Sequence, residues 1–282
     1  MYYQTYRKTV PTLAFNAWYL DDGTIIGRRR DLAQLLNLLS GPDVKSRGFD
    51  INLFKCEIWW PSGDMNFLEI LREAPRAQDG IDMLKIPVGS DAYIERRLRR
   101  RIEAMKSVTT RLNTLEDSHI EFTMLRACLG SAKLGYAMRG IQPSASVLSA
   151  LKDADEIMRL ALESIIGDSV PTTAWNQAGL RPSSSGLGLR HAEDAAMPAF
   201  IGSAAQTADL VLKRLDKDDV EVPGLPELAQ TYLARVSGTD ITIGIFPLVS
   251  ALAQGPITKE TARIVPNKCQ ALFTNAVRWK IF

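Results

Sequence analysis

The chain has 282 residues, 46% of them hydrophobic and 23% charged, with a formal net charge of +2. This is globular composition with enough apolar material for a core. The balance excludes a polycation, so any nucleic-acid surface must come from local clustering of basic side chains.

Taken in chain order, the first signal is Phe15-Asn16-Ala17-Trp18-Tyr19-Leu20-Asp21-Asp22-Gly23-Thr24-Ile25-Ile26-Gly27. Two apolar runs around a paired aspartate and a glycine read as a β-hairpin, with Asp22-Gly23 supplying the angles of the turn. Residues 31–39 have helical spacing and stop at Ser40-Gly41-Pro42. Residues 49–53 alternate apolar and polar, as does the run around Cys56-Glu57-Ile58-Trp59, and both read as strands about a short turn. Leu84-Lys85-Ile86-Pro87-Val88-Gly89-Ser90 reads as a further strand that turns at Gly89, with Pro87 at an unpaired edge position.

From Asp91 the pattern becomes helical. Ile94, Leu98, Ile102, Met105, Val108 and Leu112 form one apolar stripe at steps of three and four. Phe122, Leu125, Leu129, Ala132 and Tyr136 form a second, in a single helix after Asp117-Ser118. Val147, Leu148, Leu151, Ala154, Met158, Ala161 and Ile165 form a third. Three such helices in succession imply a small bundle. Residues 167–171 break the pattern, and residues 181–188 read as a linker or exposed loop. A helical region follows, interrupted by the charged residues 216–226. The expected fold is α+β and mainly helical. It has a few antiparallel strands in residues 1–90, a helical bundle in 91–166 and a helical extension in 167–282.

Three cysteines, Cys56, Cys128 and Cys269, lie far apart, which implies neither a disulfide framework nor a zinc site and fits a reducing compartment. His119 and His191 lack Cys or His neighbours at ligand spacing and read as surface or core histidines. Residues 1–11 carry no apolar targeting core. The apolar residues 241–253 include Pro247 and are too short to span a bilayer. A soluble intracellular protein with no membrane partner is expected. Trp18, Trp59, Trp60, Trp175 and Trp279 are scattered and read as packing, although Trp59-Trp60-Pro61 could offer a stacking surface.

The chemistry begins at the hairpin tip. Adjacent carboxylates at Asp21 and Asp22 repel unless neutralised, and Mg²⁺ does that well; an ordinary hairpin turn accounts for the same residues. Lys55 ends a strand-turn unit soon after. A lysine there can neutralise phosphate charge or donate a proton to leaving pyrophosphate, or simply be a solvated turn residue. Lys85 and the backbone around it could present a surface to a nucleic-acid strand. In Glu95-Arg96-Arg97-Leu98-Arg99-Arg100-Arg101, Arg96, Arg99 and Arg100 fall opposite the apolar stripe. Arg97 falls on its flank, and Arg101 lies nearer the apolar side and must snorkel. Such a face can track phosphates by counterion release, or be a solvated face pairing with Glu95 and Glu103.

The order of these segments resembles the C-terminal half of a reverse transcriptase palm, followed by the thumb. Tyr19-Leu20-Asp21-Asp22 is similar to that family's Tyr-x-Asp-Asp motif. Gly48, Asn52 and Lys55 fit its Gly-x-x-x-Asn-x-x-Lys motif. Residues 84–90 resemble the primer grip, which in mobile-element enzymes often reads Leu-Gly-x-Pro-x-Gly; here Lys85 stands where the usual glycine would be. Residues 185–190 and 195–203 are also similar to mobile-element reverse transcriptases. The resemblance implies RNA-directed DNA polymerisation, with an RNA template and a DNA primer as partners. It implies Asp21 and Asp22 on catalytic Mg²⁺ or Mn²⁺, Tyr19 near the nucleotide or primer end, and Lys55 as proton donor. Lys85 and Gly89 would belong to the primer grip, and Arg96, Arg97, Arg99 and Arg100 to the thumb's nucleic-acid face. The family's other metal-binding aspartate lies upstream of the hairpin, and the 20 residues before Asp21 contain no Asp or Glu. An incomplete palm, inactive by itself unless upstream residues complete the metal site, is therefore expected. A non-catalytic nucleic-acid-binding module and a structural helical interaction protein are the alternatives.

Overall fold

The computed structural model describes residues 13–19, 22–59, 75–216, 218–236 and 246–258. Two compact units divide the chain, Met1–Tyr93 and Ile94–Phe282. The described residues are mainly helical, with small two-stranded sheets, three antiparallel and one parallel. No described helix is long and apolar enough to cross a membrane. Leu20, Asp21, Trp60, Pro61, Cys269 and Trp279 lie outside the described residues.

In the first unit, β1 (Phe15–Tyr19) pairs antiparallel with β2 (Asp22–Ile26). Helix α1 (Arg29–Leu39) follows, then the short α2 (Pro42–Lys45). Leu35 and Leu39 of α1 are buried, and Trp18, Ile25, Phe49 and Ile51 pack against them. Trp18 meets Phe49 edge to face, with ring centroids 5.7 Å apart, a favoured aromatic geometry. Residues 49–52 are not a strand, and a 3-10 turn follows at Leu53–Lys55. Their alternation still acts, sending Phe49 and Ile51 inward while Asp50 and Asn52 stay exposed. A ladder needs a partner strand as well as a pattern. Pairing resumes only in the two-residue strands β3 (Ile58–Trp59) and β4 (Arg76–Ala77), which run parallel.

A second hairpin closes this unit, with β5 (Gly80–Met83) antiparallel to β6 (Ile86–Gly89). Leu84 and Lys85 are therefore turn residues, not strand residues. Both have positive φ, 48° and 67°, which matches the right-handed twist of a tight hairpin. The Ser90 N–H donates to the Asp79 carbonyl at 2.8 Å. Counting inward along the antiparallel alternation puts Asp82 opposite Pro87 in a non-hydrogen-bonded pair. Pro87 thus forfeits no ladder bond, as its edge reading anticipated. Gly80 faces Gly89, and a Cβ on Gly89 would stand 2.3 Å from the Asp79 oxygen and 2.4 Å from the Gly80 Cα. Only glycine permits that approach.

The second unit is helical. Helix α3 (Asp91–Thr109) buries Leu98, Ile102, Met105 and Thr109. The expected stripe included Val108, which is exposed; at 100° per residue it falls about 80° off the line through Leu98. Thr109 falls on that line, and its hydroxyl donates to the Met105 carbonyl at 2.9 Å. The second expected helix is two helices, α4 (Ser118–Cys128) and α5 (Ser131–Gly140). They part at Leu129-Gly130, where Gly130 has φ 56° and Met158 covers it so closely that a Cβ would lie 2.9 Å from the methyl carbon. The break rotates the face, so Leu134, Ala137 and Met138 are buried and Tyr136 is exposed.

Helix α6 (Ala145–Ile166) is capped by Ser144, which accepts from the Val147 N–H, and ends at Gly167 with φ 78°. It buries Val147, Leu151, Ala154, Met158 and Leu162, close to the expected stripe, and also Asp155. Helix α7 (Thr172–Gly179) comes next. The residues 181–188 after it are largely exposed and fold back, with Leu187 and Leu189 N–H groups donating to the Ala178 carbonyl. Helix α8 (Ala192–Leu215) follows, then β7 (Asp219–Val220), α9 (Leu225–Val236), α10 (Phe246–Leu252) and β8 (Ile257–Thr258). Met197, Ile201, Ala205, Ala208 and Leu212 of α8 form one core with Leu225, Leu228, Ala229 and Tyr232 of α9 and Val249 and Leu252 of α10.

Candidate functional site

The first candidate site is the hairpin of the first unit. Its register pairs Tyr19 with Asp22 and Trp18 with Gly23. Asp22 and Gly23 are therefore paired strand residues, not the turn that the Asp-Gly signal implied. Gly23 serves a different need. A Cβ there would lie 2.7 Å from the Trp18 ring, so the missing side chain makes room for the indole. Asp22 opens β2 and is exposed. Asp21 lies outside the described residues, so the described part of the hairpin offers one carboxylate. Among the described residues no group of three or more His, Cys, Asp or Glu side chains could hold a metal ion. Asp22 alone does not form a Mg²⁺ site, which takes several oxygen ligands.

Lys55 ends the 3-10 turn and is exposed. The carbonyl of Asn52 accepts from the Lys55 N–H at 3.0 Å and from the Cys56 thiol at 3.3 Å. Asn52 thus fixes where the lysine leaves the backbone. Gly48, six residues after Pro42, has φ 83° with open space where a Cβ would stand. Lys85 is exposed at the tip of the second hairpin. No hydrogen bond or ion pair joins Asp22, Lys55 and Lys85 among the described residues. Gly89 holds the Gly80 backbone at close range. Tyr93 lies against the same glycine pair, and its hydroxyl donates to Asp82 Oδ1 at 3.2 Å.

The second candidate is the arginine face of α3. Arg96, Arg99 and Arg100 are exposed, and Arg97 and Arg101 are half-buried. Arg99 is held by two carboxylates: Nη1 donates to Asp153 Oδ2 at 2.7 Å and Nε to Glu95 Oε1 at 2.8 Å. Both bonds, that to Asp153 foremost, push its pKa up. Arg101 shows the opposite sign, because burial and the nearby Arg97 charge both disfavour its cation. That matches the snorkelling expected at this position. The face thus divides. Arg99 ties α3 to α6, while Arg96 and Arg100 lie on the side turned from the core.

The third grouping escaped the sequence reading. Asp155 of α6 is 6% exposed, and its two oxygens accept the first N–H groups of α8, from Ala192 at 2.6 Å and Glu193 at 3.0 Å. These are donors that a helix start leaves without internal partners. His191, at the N-cap, supplies no side-chain cap; Asp155 supplies it from another helix. The imidazole stacks on Trp175 at 4.7 Å and 19°. Its Nδ1 lies 3.4 Å from Asp194 Oδ2, and Arg235 of α9 pairs with Asp194 from the other side. His191 is thus tied into a charged junction rather than being the ordinary core or surface histidine expected. Its own signal was available: a helix start without Ser, Thr, Asp or Asn, and an aspartate inside the apolar stripe of α6.

Comparison with protein-family models, characterised proteins and solved structures finds no match for this chain.

Proposed function

We propose that this chain is a nucleic-acid-binding part of a mobile-element reverse transcriptase. In this reading residues 1–90 derive from the palm, and α3 begins a thumb that grips a template–primer duplex by its phosphates. The motif order supports it: Tyr19-Leu20-Asp21-Asp22, then Gly48 to Asn52 to Lys55, then residues 84–90, then the arginine helix. The local forms agree with these assignments. The first motif lies across a hairpin, and the third forms another.

One observation carries the kinship further than the letters alone. The primer-grip pattern has glycine where this chain has Lys85, and Lys85 sits at φ 67°. That is a left-handed conformation in which glycine is the favoured residue. The departure in sequence therefore falls at a position whose backbone still has the form that glycine suits.

For binding, Arg96 and Arg100 are the working pair because both are exposed on the side of α3 turned from the core, while Arg99 ties α3 to α6 through Asp153. Removing one phosphate contact should reduce the log–log salt slope by roughly one. The test is a salt titration of binding to an RNA–DNA hybrid. Arg96→Gln with Arg100→Gln is expected to lower the slope by about two, and Arg99→Gln, whose guanidinium is already held by two carboxylates, by less than about one. Glutamine keeps similar helix propensity, and circular dichroism checks folding. An unchanged slope in the folded double variant removes α3 from the interface and leaves the structural helical reading in its place.

A further inference from the structure

We propose that the junction of Asp155, His191 and Asp194 is a proton-dependent latch. It fastens the start of α8 to α6 and α9 while it holds its proton, and slackens when the proton leaves.

Four elements meet there. From α6 comes Asp155, whose carboxylate caps Ala192 and Glu193. From the segment before α8 comes His191, with its side chain 15% exposed. Asp194 comes from the first turn of α8, and Arg235 from the last turn of α9. On the α7 side the His191 ring lies against Trp175 and Gly179, where a Cβ on Gly179 would approach Nε2 to 2.9 Å. Nε2 is buried without a partner. Glu193 joins through its backbone N–H. Arg190 precedes the histidine, and burial pushes its pKa down to about 10, so it stays cationic while the histidine titrates.

Charge counting shows why a proton matters. Between the Asp155 midpoint of about 6 and the His191 midpoint above 6.5, two carboxylates face two cations, His191 and Arg235. With His191 neutral, Asp155 and Asp194 retain Arg235 alone, and the buried Asp155 loses the positive charge that offsets its burial. Like charges in a partly dry site then oppose one another.

The directions of titration agree. The Asp194 hydrogen bond, and then the Asp155 charge, raise the His191 pKa above its ordinary 6.5 against the effect of burial. A group raised on folding contributes stability below its unfolded value and loses it as pH rises through the folded one. Burial lifts Asp155 from 3.8 to about 6 against its two backbone bonds. Its protonation on folding also favours the lower pH, and that contribution fades as pH rises through about 6. Asp194 has the opposite sign: its bond to His191 lowers its pKa, so its contribution is lost as pH falls below 3.8. The latch is therefore tightest between these limits and loosens on the alkaline side of the histidine.

Two measurements on the full chain test this. The sequence has only two histidines, so carbon-edited NMR of the imidazole Cε1–H groups gives two signals, and His191→Gln assigns them. The His191 midpoint is expected above 6.5 and should fall in Asp194→Asn. Amide hydrogen exchange at Ala192 and Glu193, corrected for intrinsic rates, should report opening of the helix start. Protection should fall on the alkaline side of that midpoint, by the factor set by how far the measured midpoint lies above 6.5. His191→Gln should flatten this dependence, and because that variant removes no cap, it does not depend on Asp155→Asn folding. A wild-type midpoint at or below 6.5, or protection at these two amides that ignores pH, overturns the latch.

Discussion

Among the described residues of 13–93, a core forms where Trp18 and its neighbours pack on two leucines of α1, and backbones come into close approach at the hairpins. Beyond residue 94, helices α3, α6 and α8 each contribute a stripe of buried residues, and α8, α9 and α10 share a core. The first region relies on absent side chains: Gly23 under an indole, and Gly80 against Gly89. The second relies mostly on present ones, although Gly130 under Met158 and Gly186 against the Leu180 carbonyl make approaches of the same kind. A region held by close approach tolerates no added carbon at a few points, whereas one held by apolar stripes tolerates few removals.

The largest effect is expected from a removal in the second region. Leu151 is fully buried on α6, and Leu→Ala at such a site costs about 2–5 kcal/mol. Urea unfolding followed by far-ultraviolet circular dichroism should show Leu151→Ala lowering the stability of the helical unit. A loss below about 1 kcal/mol would mean that the stripe can collapse around the gap, and the contrast between the regions would weaken.

The next effect is an addition in the first region. Gly89→Ala places a Cβ against the backbone of Asp79 and Gly80, not against a yielding side chain. Overpacking of this kind costs about 1–3 kcal/mol, and the β5–β6 ladder must open to relieve it. Exchange of the Ser90 amide, which donates to Asp79, reports the change directly. If the Ser90 amide is undisturbed in Gly89→Ala, glycine is not required by the approach, and its place at the end of residues 84–90 needs another reason.

The two regions also differ in how far their sequences reveal them. The stripes of α1, α3 and α6 are legible because helical burial repeats every three to four residues and needs no distant partner. The misreadings come where something distant decides. Gly130 breaks the second stripe because Met158 presses on it from α6. Residues 49–52 keep their alternation but find no ladder. The first hairpin's strands already pair at Tyr19 and Asp22, so they join two residues before Asp22-Gly23, and Gly23 instead clears Trp18 across the strands. At the candidate sites, the arginine face of α3 is legible as an amphipathic split, but the diversion of Arg99 depends on Asp153, 54 residues away. The Asp155–His191 junction joins positions 36 apart in sequence, which periodicity does not link.

The smallest effect sharpens the contrast, because in the close-approach region a side chain can be an obstacle. Lys85 holds a left-handed conformation at the hairpin turn, as does Leu84. For an L-residue with a Cβ this conformation costs roughly 1–2 kcal/mol, and glycine escapes it at an entropic cost of about 0.5–1 kcal/mol in the unfolded chain. Lys85→Gly should therefore stabilise the first unit by up to about 1.5 kcal/mol, although it removes a long side chain and a charge. The same change separates backbone from side chain in the proposed primer grip. If the turn geometry alone matters, the glycine variant binds an RNA–DNA hybrid as the parent does, with an unchanged salt slope. If the lysine contacts phosphate, the slope falls by roughly one while stability rises. A loss of stability in Lys85→Gly would contradict the left-handed turn itself, and with it the argument that this position retains the backbone form of the glycine in the reverse transcriptase pattern.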